Sequence, residues 1–312
     1  MRPGAEGKQF LFQIVLTVGL FLSITFVPLV GLFAGLLTPT PAAIAVLRWG
    51  FSSAWLVPAC SALFGSLILY LLGLSYTIPY LLALVSMGVL IGYGLGRRWS
   101  TEKIVGFSSL IVIGLVVFVL VLVFAESGGE VIRLIEEDLR GVLSAAFKDM
   151  GSSSIEYQGM ESKILETVPL IVRIMPGVFI SSILAISWLN LLVSRRYCRI
   201  TAGELCLFEE LTLWRSPEPL VWLVIAAGLM VIFPLDDLKL VGVNLLIVTG
   251  TIYFFQGLAI VAFYFAKWKL PFFAKGLIYI LMFLQLFTSI AVAILGLFDI
   301  WFDFRKLTKK PA

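Results

Sequence analysis

Two carboxylates four residues apart, Asp299 and Asp303, close a long apolar run in the stretch GLFDIWFDFRKLTKK, Gly296 to Lys310. Acids at that spacing share one face of a helix, where they could trade a proton or hold an ion. Two features argue against that chemistry. The chain has no histidine, so the commonest general base and neutral metal ligand is missing. Arg305 and Lys306 follow directly and offer the acids cationic neighbours. The better reading is a membrane exit. Asp299, Trp301, Asp303 and Arg305 anchor a helix end, with the aromatics in the headgroup belt and the cations on the cytoplasmic surface.

Other catalytic signatures are missing. There is no GxxxxGK[ST] to cradle a nucleotide phosphate, no GxSxG and no HExxH. The three cysteines, Cys60, Cys198 and Cys206, form neither a disulfide framework nor a CxxC pair and read as plain packing residues or free thiols. The expectation is a protein that is not an enzyme and carries no metal and no cofactor. A net charge of +4 is no sign of nucleic acid, because the cations flank apolar runs as membrane topology requires.

The span centres hold no carboxylate; their polar residues are neutral. Asn190, Asn244, Gln256 and Gln285 either tie helices together or face a small solute. Arg48 follows the TPTP stretch at Thr38 to Pro41. It reads as a cation at the mouth of an outer cavity, or as an arginine reaching for headgroups. Arg48, Asn190, Asn244 and Gln256 are the solute-binding candidates.

The elements that carry these residues are membrane helices. Of 312 residues, 60% are hydrophobic and 13% charged, and the mean hydropathy is +1.05; soluble domains have about a quarter charged residues. The fold class is all-α, a polytopic transmembrane bundle of about eight spans with an external amphipathic insertion. Apolar runs long enough for about 30 Å of hydrocarbon lie at Phe10 to Leu37, Phe51 to Leu74, Tyr76 to Leu95, Ile104 to Ala125, Gly177 to Val193, Pro219 to Phe233, Val241 to Ala266 and Gly276 to Phe298. The stretch AAIAVLRWG after TPTP could add a half-helix broken at Gly50, and such a helix would line a cavity. Residues 1–312 read as one integral membrane domain.

Lys and Arg set the orientation. The Arg97/Arg98/Lys103, Arg195/Arg196/Arg199 and Lys267/Lys269/Lys275 loops should be cytoplasmic. Residues 126–166 then lie outside, with nine acids against four bases. A simple last crossing would put Arg305 and Lys306 outside as well. Either one of the last two runs does not cross simply, or the count is off by one.

Two connections are amphipathic. Val131, Ile135, Leu139, Val142 and Ala146 recur at helical spacing opposite Glu136, Glu137 and Arg140, as in a helix lying on the membrane or capping the bundle. On the cytoplasmic side, residues 198–217 include ELCLFEELTLWRSPEP, read as an interfacial helix or a docking surface. Pro176-Gly177 reads as a break before the fifth span. Gly88, Gly92 and Gly96 form GxxxGxxxG, Gly31 and Gly35 form GxxxG, and Gly19 pairs with Ser23; small residues at this spacing serve close helix packing or subunit docking.

Three segments together resemble the YybS family of bacterial membrane proteins: the proline turn with RWG (Pro39, Pro41, Arg48, Gly50), the NLL…FFQG segment from Asn244 to Gly257, and the closing GLFDIWFDFRK. That family's fold is similar to the S components of energy-coupling-factor vitamin transporters. The resemblance implies a small bundle that binds a vitamin-like solute near its outer face and depends on a coupling-factor transmembrane subunit and separate ATPases. Gly19 and Ser23 would supply the docking spacing, and the TPTP loop the gate. The reading is therefore a multi-pass protein of the bacterial cytoplasmic membrane, a small-solute-binding subunit energised by a partner. Its rival is a scaffold or regulatory protein of the cell envelope.

Overall fold

The computed structural model describes residues 3–27, 29–127, 130–149, 155–202 and 210–306, and these form helices and short connections with no strand among them. The helices are α1 (Pro3–Phe26), α2 (Val30–Gly35), α3 (Pro39–Trp49), α4 (Phe51–Ala54), α5 (Leu56–Leu71), α6 (Ile78–Gly96), α7 (Thr101–Ser127), α8 (Val131–Asp149), α9 (Ile155–Ala202), α10 (Leu220–Ile232), α11 (Asp236–Lys267), α12 (Phe272–Leu284) and α13 (Leu286–Phe302). Seven stretches are long and apolar enough to cross a membrane, with the bent pair α12 and α13 as a possible eighth. The chain is thus an all-α polytopic bundle. It packs as two compact units, one of residues 1–116, 182–221 and 250–312, the other of residues 117–181 and 222–249.

The first unit departs from the expected spans at its start. The run from Phe10 to Leu37 does not cross once. α1 ends at Phe26, and a second span runs from Val30 to Trp49. This second span is broken between α2 and α3, where Pro39 can begin a helix because its missing N–H would have had no partner there. Trp49 consequently returns to the start of α1, its ring 4.3 Å from that of Phe10.

The glycines explain how this returning span fits. A Cβ on Gly31 would collide with the Ser23 carbonyl of α1, and one on Gly35 with Ile24. A Cβ on Gly88 would strike the Pro39 carbonyl, and one on Gly92 would lie 2.6 Å from the Ala43 carbonyl. Gly88 and Gly92 therefore let α6 and α3 meet backbone to backbone. Gly96 and Gly19 have open space beside them. The core around this contact includes Phe21, Leu81, Met87, Ile91 and Leu95.

One end of the first unit collects the cations. Arg195 of α9 donates to Thr101 Oγ1 of α7 at 3.0 Å, Trp214 donates to Glu102 at 2.6 Å, and the Tyr264 hydroxyl near the end of α11 donates to the Phe304 carbonyl at 2.9 Å. The last contact bears on the final spans. α12 starts just after α11 ends, α13 ends beside Tyr264, and the two helices are bent by 101° at Gln285. The pair enters and leaves at the same end of the unit, so Lys267, Lys269 and Arg305 share it. The expected total of about eight stands, with seven such stretches and the bent pair as an eighth; within it, the first apolar run divides into two, and the last is a bent pair of helices, not a single straight crossing.

In the second unit, Pro176 does not end a helix. α9 runs unbroken through Pro169 and Pro176. α8 exposes Ile132, Leu134 and Val142, and Arg133 pairs with Glu130 and Glu137 across exposed turns.

Of the second amphipathic connection, the described part, from Glu210 on, is not the expected helix. Glu204 to Glu209 lie outside the described residues. Leu211–Leu213 make one 3₁₀ turn, flanked by extended Glu210 and Trp214. Cys60 is a free thiol. Cys198 is disulfide-bonded, contrary to the free-thiol expectation.

Candidate functional site

The densest polar cluster lies at the cation-bearing end of the first unit, built around Asp299. Glycines place it. A Cβ on Gly257 would collide with the Val292 carbonyl and one on Gly296 with that of Tyr253, so α13 lies directly against α11 and brings Asp299 beside Gln256. Asp303 then takes a left-handed conformation (φ 41°, ψ 58°) that ends α13 and turns the chain back. Arg305 thereby meets Asp299 at 2.8 Å, both side chains with 0% exposure.

Each partner of the pair is further satisfied. Arg305 donates to the carbonyls of Thr212 at 2.6 Å and Trp214 at 3.0 Å. Asp299 accepts from the Phe304 amide at 3.0 Å and from Gln256 Nε2 at 3.3 Å. Gln256 Oε1 accepts from the Ser216 amide and hydroxyl at 3.1 and 2.5 Å. Arg215 approaches Asp299 at 3.8 Å and pairs with Asp303. The 212–216 strap is also held by Trp188, whose ring lies 4.4 Å from Trp214 and 5.0 Å from Phe255. Two arginines and two aspartates balance in charge, and apart from the Nε groups of Arg215 and Arg305 their polar atoms are largely paired, so the cluster is a latch that ties the strap and the returning chain to α11 and α13.

Asp299 and Arg305 are thus buried, not displayed on the surface as an exit anchor, and Lys306 does not share their face because the helix has ended. Trp301 and Phe302 do face outward. Sequence reasoning placed the two acids on a continuing helix and gave Asp299 no buried partner. The available signal was the Asp-x₃-Asp-x-Arg spacing, in which Asp303 can end the helix and fold the arginine back.

Two other candidates bond to backbone groups of neighbouring helices. Asn190 donates to the Leu36 carbonyl and accepts from Thr40 Oγ1, at 2.8 and 2.6 Å, across the gap between α2 and α3. Asn244 does the same within the second unit. Its amide accepts from Gly177 N at 2.6 Å and donates to the Arg173 carbonyl at 3.1 Å, entering the helical bond that those two groups would otherwise make beside Pro176. Gly177 has no room for a Cβ there, which would lie 2.7 Å from Asn244 Oδ1. Gln256 serves the latch. Exposed Gln285 sits at the bend, where Thr288 donates to its side chain at 3.1 Å.

Arg48 is different: it lies at the cation-bearing end of the unit, beside the end of α9. With Leu47 it lines a half-open hollow of about 450 Å³, completed by Tyr197, Cys198 and Thr201 from the end of α9. Its guanidinium carbon lies 5.6 Å from the centre of the Trp49 ring. Of the four solute-binding candidates, Arg48 is the one that lines this hollow. A second hollow of similar size, lined by Trp99, Lys103, Gly106, Phe107 and Leu110, is more apolar. Among the described residues no three acids or cysteines group as metal ligands.

A family model described as "Predicted membrane protein (DUF2232)" matches residues 15–300. The chain belongs to that family. The match takes in the broken second span, Arg48, the 212–216 strap and Asp299, and stops just short of Asp303 and Arg305. No curated protein and no solved structure matches. For this DUF2232 member, fold and family together describe a multi-pass membrane protein whose apolar helices meet the bilayer.

Proposed function

We propose that this DUF2232 protein is a non-enzymatic subunit of the bacterial cytoplasmic membrane that binds a small solute and depends on a partner for energy, in the manner of an S component. The Arg48 hollow carries the reading. Its volume falls within the range of about 300–1,000 Å³ typical of small-molecule sites, and one charged side chain faces polar and apolar neighbours across it. The positive-inside rule makes its end cytoplasmic, so this site differs from the outer-face site that the YybS and S-component resemblance implies. Asn190, Asn244 and Gln256 drop out of the binding set, because their amides already serve the backbone or the latch. The test is a metabolite screen on the protein in nanodiscs, read by thermal stability. Saturable stabilisation by a soluble compound supports the reading; a folded sample that shifts with no compound overturns it.

A scaffold role is the second reading, and Gly19 favours it. Gly19 is exposed, with open space at its Cβ position, on a helix side that also bears exposed Leu11, Phe12 and Val15. Crosslinking from Gly19→Cys separates the two: capture of a coupling-factor subunit supports transport, and capture of an envelope or signalling protein supports the scaffold.

A further inference from the structure

We infer that the Arg48 hollow is a phosphate site, in which the Arg48 guanidinium and the Tyr197 hydroxyl hold the phosphate group of an organic ligand while Leu47 meets its apolar body. The inference rests on the solute-binding reading above and names the ligand's chemistry.

The charge balance of the hollow points there. Arg215 and Arg305 are matched by Asp303 and Asp299, whereas no carboxylate among the described residues pairs with Arg48. The five lining residues include one charge, and it is positive. The ends of α3 and α9 that meet here bring roughly half a negative charge each. Arg48 offsets them at close range as the one charged side chain of the lining, and its guanidinium, bound to no described carboxylate, is left to meet anionic oxygens.

Donor geometry agrees. Arg48 stacks near Trp49, which holds the guanidinium by its face and leaves its N–H edge for bidentate contact with phosphate oxygens. The Tyr197 side chain is half-buried, and its hydroxyl bonds to no described residue. The Thr201 hydroxyl already donates to the Tyr197 carbonyl at 2.9 Å and acts as wall more than as donor. Phosphate alone would leave most of about 450 Å³ empty, so the ligand carries an organic body. A soluble phosphate monoester and an anionic lipid headgroup share this chemistry.

The experiment has two arms, both on the full chain in phosphatidylcholine nanodiscs. One titrates flavin mononucleotide against riboflavin, and adenosine monophosphate against adenosine. The other compares nanodiscs with and without phosphatidylglycerol and reads lipid retained by the protein. The expected result is saturable binding of a phosphate-bearing probe in one arm, weakened by salt and weakened roughly ten- to a hundredfold by Arg48→Gln, as for loss of a charged hydrogen bond. Arg48→Lys should restore part of the affinity, and Lys267→Gln should leave it unchanged. Binding in the lipid arm alone upholds the phosphate site and counts against the soluble-solute reading. A solute that binds Arg48→Gln as tightly as the unaltered protein, or a dephosphorylated probe that binds as well as its phosphate, overturns the phosphate site and leaves the solute reading standing. Failure of every phosphate probe and of the lipid overturns the phosphate site outright.

Discussion

Asp299 and Arg305 face each other at 2.8 Å, six residues apart and fully shielded from solvent, because the left-handed turn at Asp303 ends α13 between them. Removing one member strands the other. Asp299→Ala should cost about 3–5 kcal/mol of stability, the usual penalty for a buried charge that loses its partner. Replacing both together, Asp299→Leu with Arg305→Met, should cost less than Asp299→Ala alone. Thermal unfolding in detergent, followed by Trp fluorescence, measures the order; a single variant milder than the double would refute the latch.

The GxxxG contacts make a sharper comparison. Gly92→Ala puts a methyl group 2.6 Å from the Ala43 carbonyl, and Gly88→Ala strikes the Pro39 carbonyl. Each should lower stability by about 1–3 kcal/mol. Gly96→Ala, with nothing near its Cβ position, should stay within about 0.5 kcal/mol. Equal losses at all three positions would mean that α3 and α6 do not meet backbone to backbone.

How much of this was legible follows from which interactions are local. Apolar runs, the amphipathic pattern of α8 and the alternation of cation-bearing loops depend on neighbours in sequence, and they point to a helical membrane bundle with its cations on one side. The second span was hidden because residues 26–37 stay apolar through the turn between α1 and α2, so one long run masked two helices. TPTP looked like a loop, yet Pro39 is at the helix start where proline fits. The latch joins Asp299 to residues 212–216, and Asn244 reaches Gly177, beside Pro176 and 67 residues away. No spacing rule reports such pairs. Two of the polar residues read as facing a solute, Asn190 and Asn244, instead satisfy backbone groups at a helix gap and beside a proline, since hydrocarbon offers those groups no water.

The Asn244 bridge predicts a coupling. Asn244→Leu leaves Gly177 N–H and the Arg173 carbonyl without their bridge and should cost about 0.6–1.7 kcal/mol. In a Pro176→Ala background the helix can close its own bonds, and the same change should then cost less. A double-mutant cycle measures the difference, expected at roughly 0.5 kcal/mol or more. Simple additivity would show that Asn244 does not act at the proline.

The bent pair α12 and α13 decides where the chain ends. If it turns back at Gln285, Lys8, Arg97, Lys269 and Lys306 all lie on one side of the membrane. In a background without native cysteines, a cysteine at each of these positions should react with an impermeant thiol reagent from the cytoplasmic side alone, in inverted vesicles and not in intact cells. Gln285→Cys should react more slowly from either side, because the bend is flanked by exposed Phe283, Leu284, Leu286 and Phe287, which seek hydrocarbon. Labelling of Lys306→Cys from outside, with Lys269→Cys labelled from inside, would require α12 and α13 to cross. It would also separate Arg305 from the 212–216 strap by the thickness of the bilayer, which the contacts of Arg305 with the Thr212 and Trp214 carbonyls do not permit.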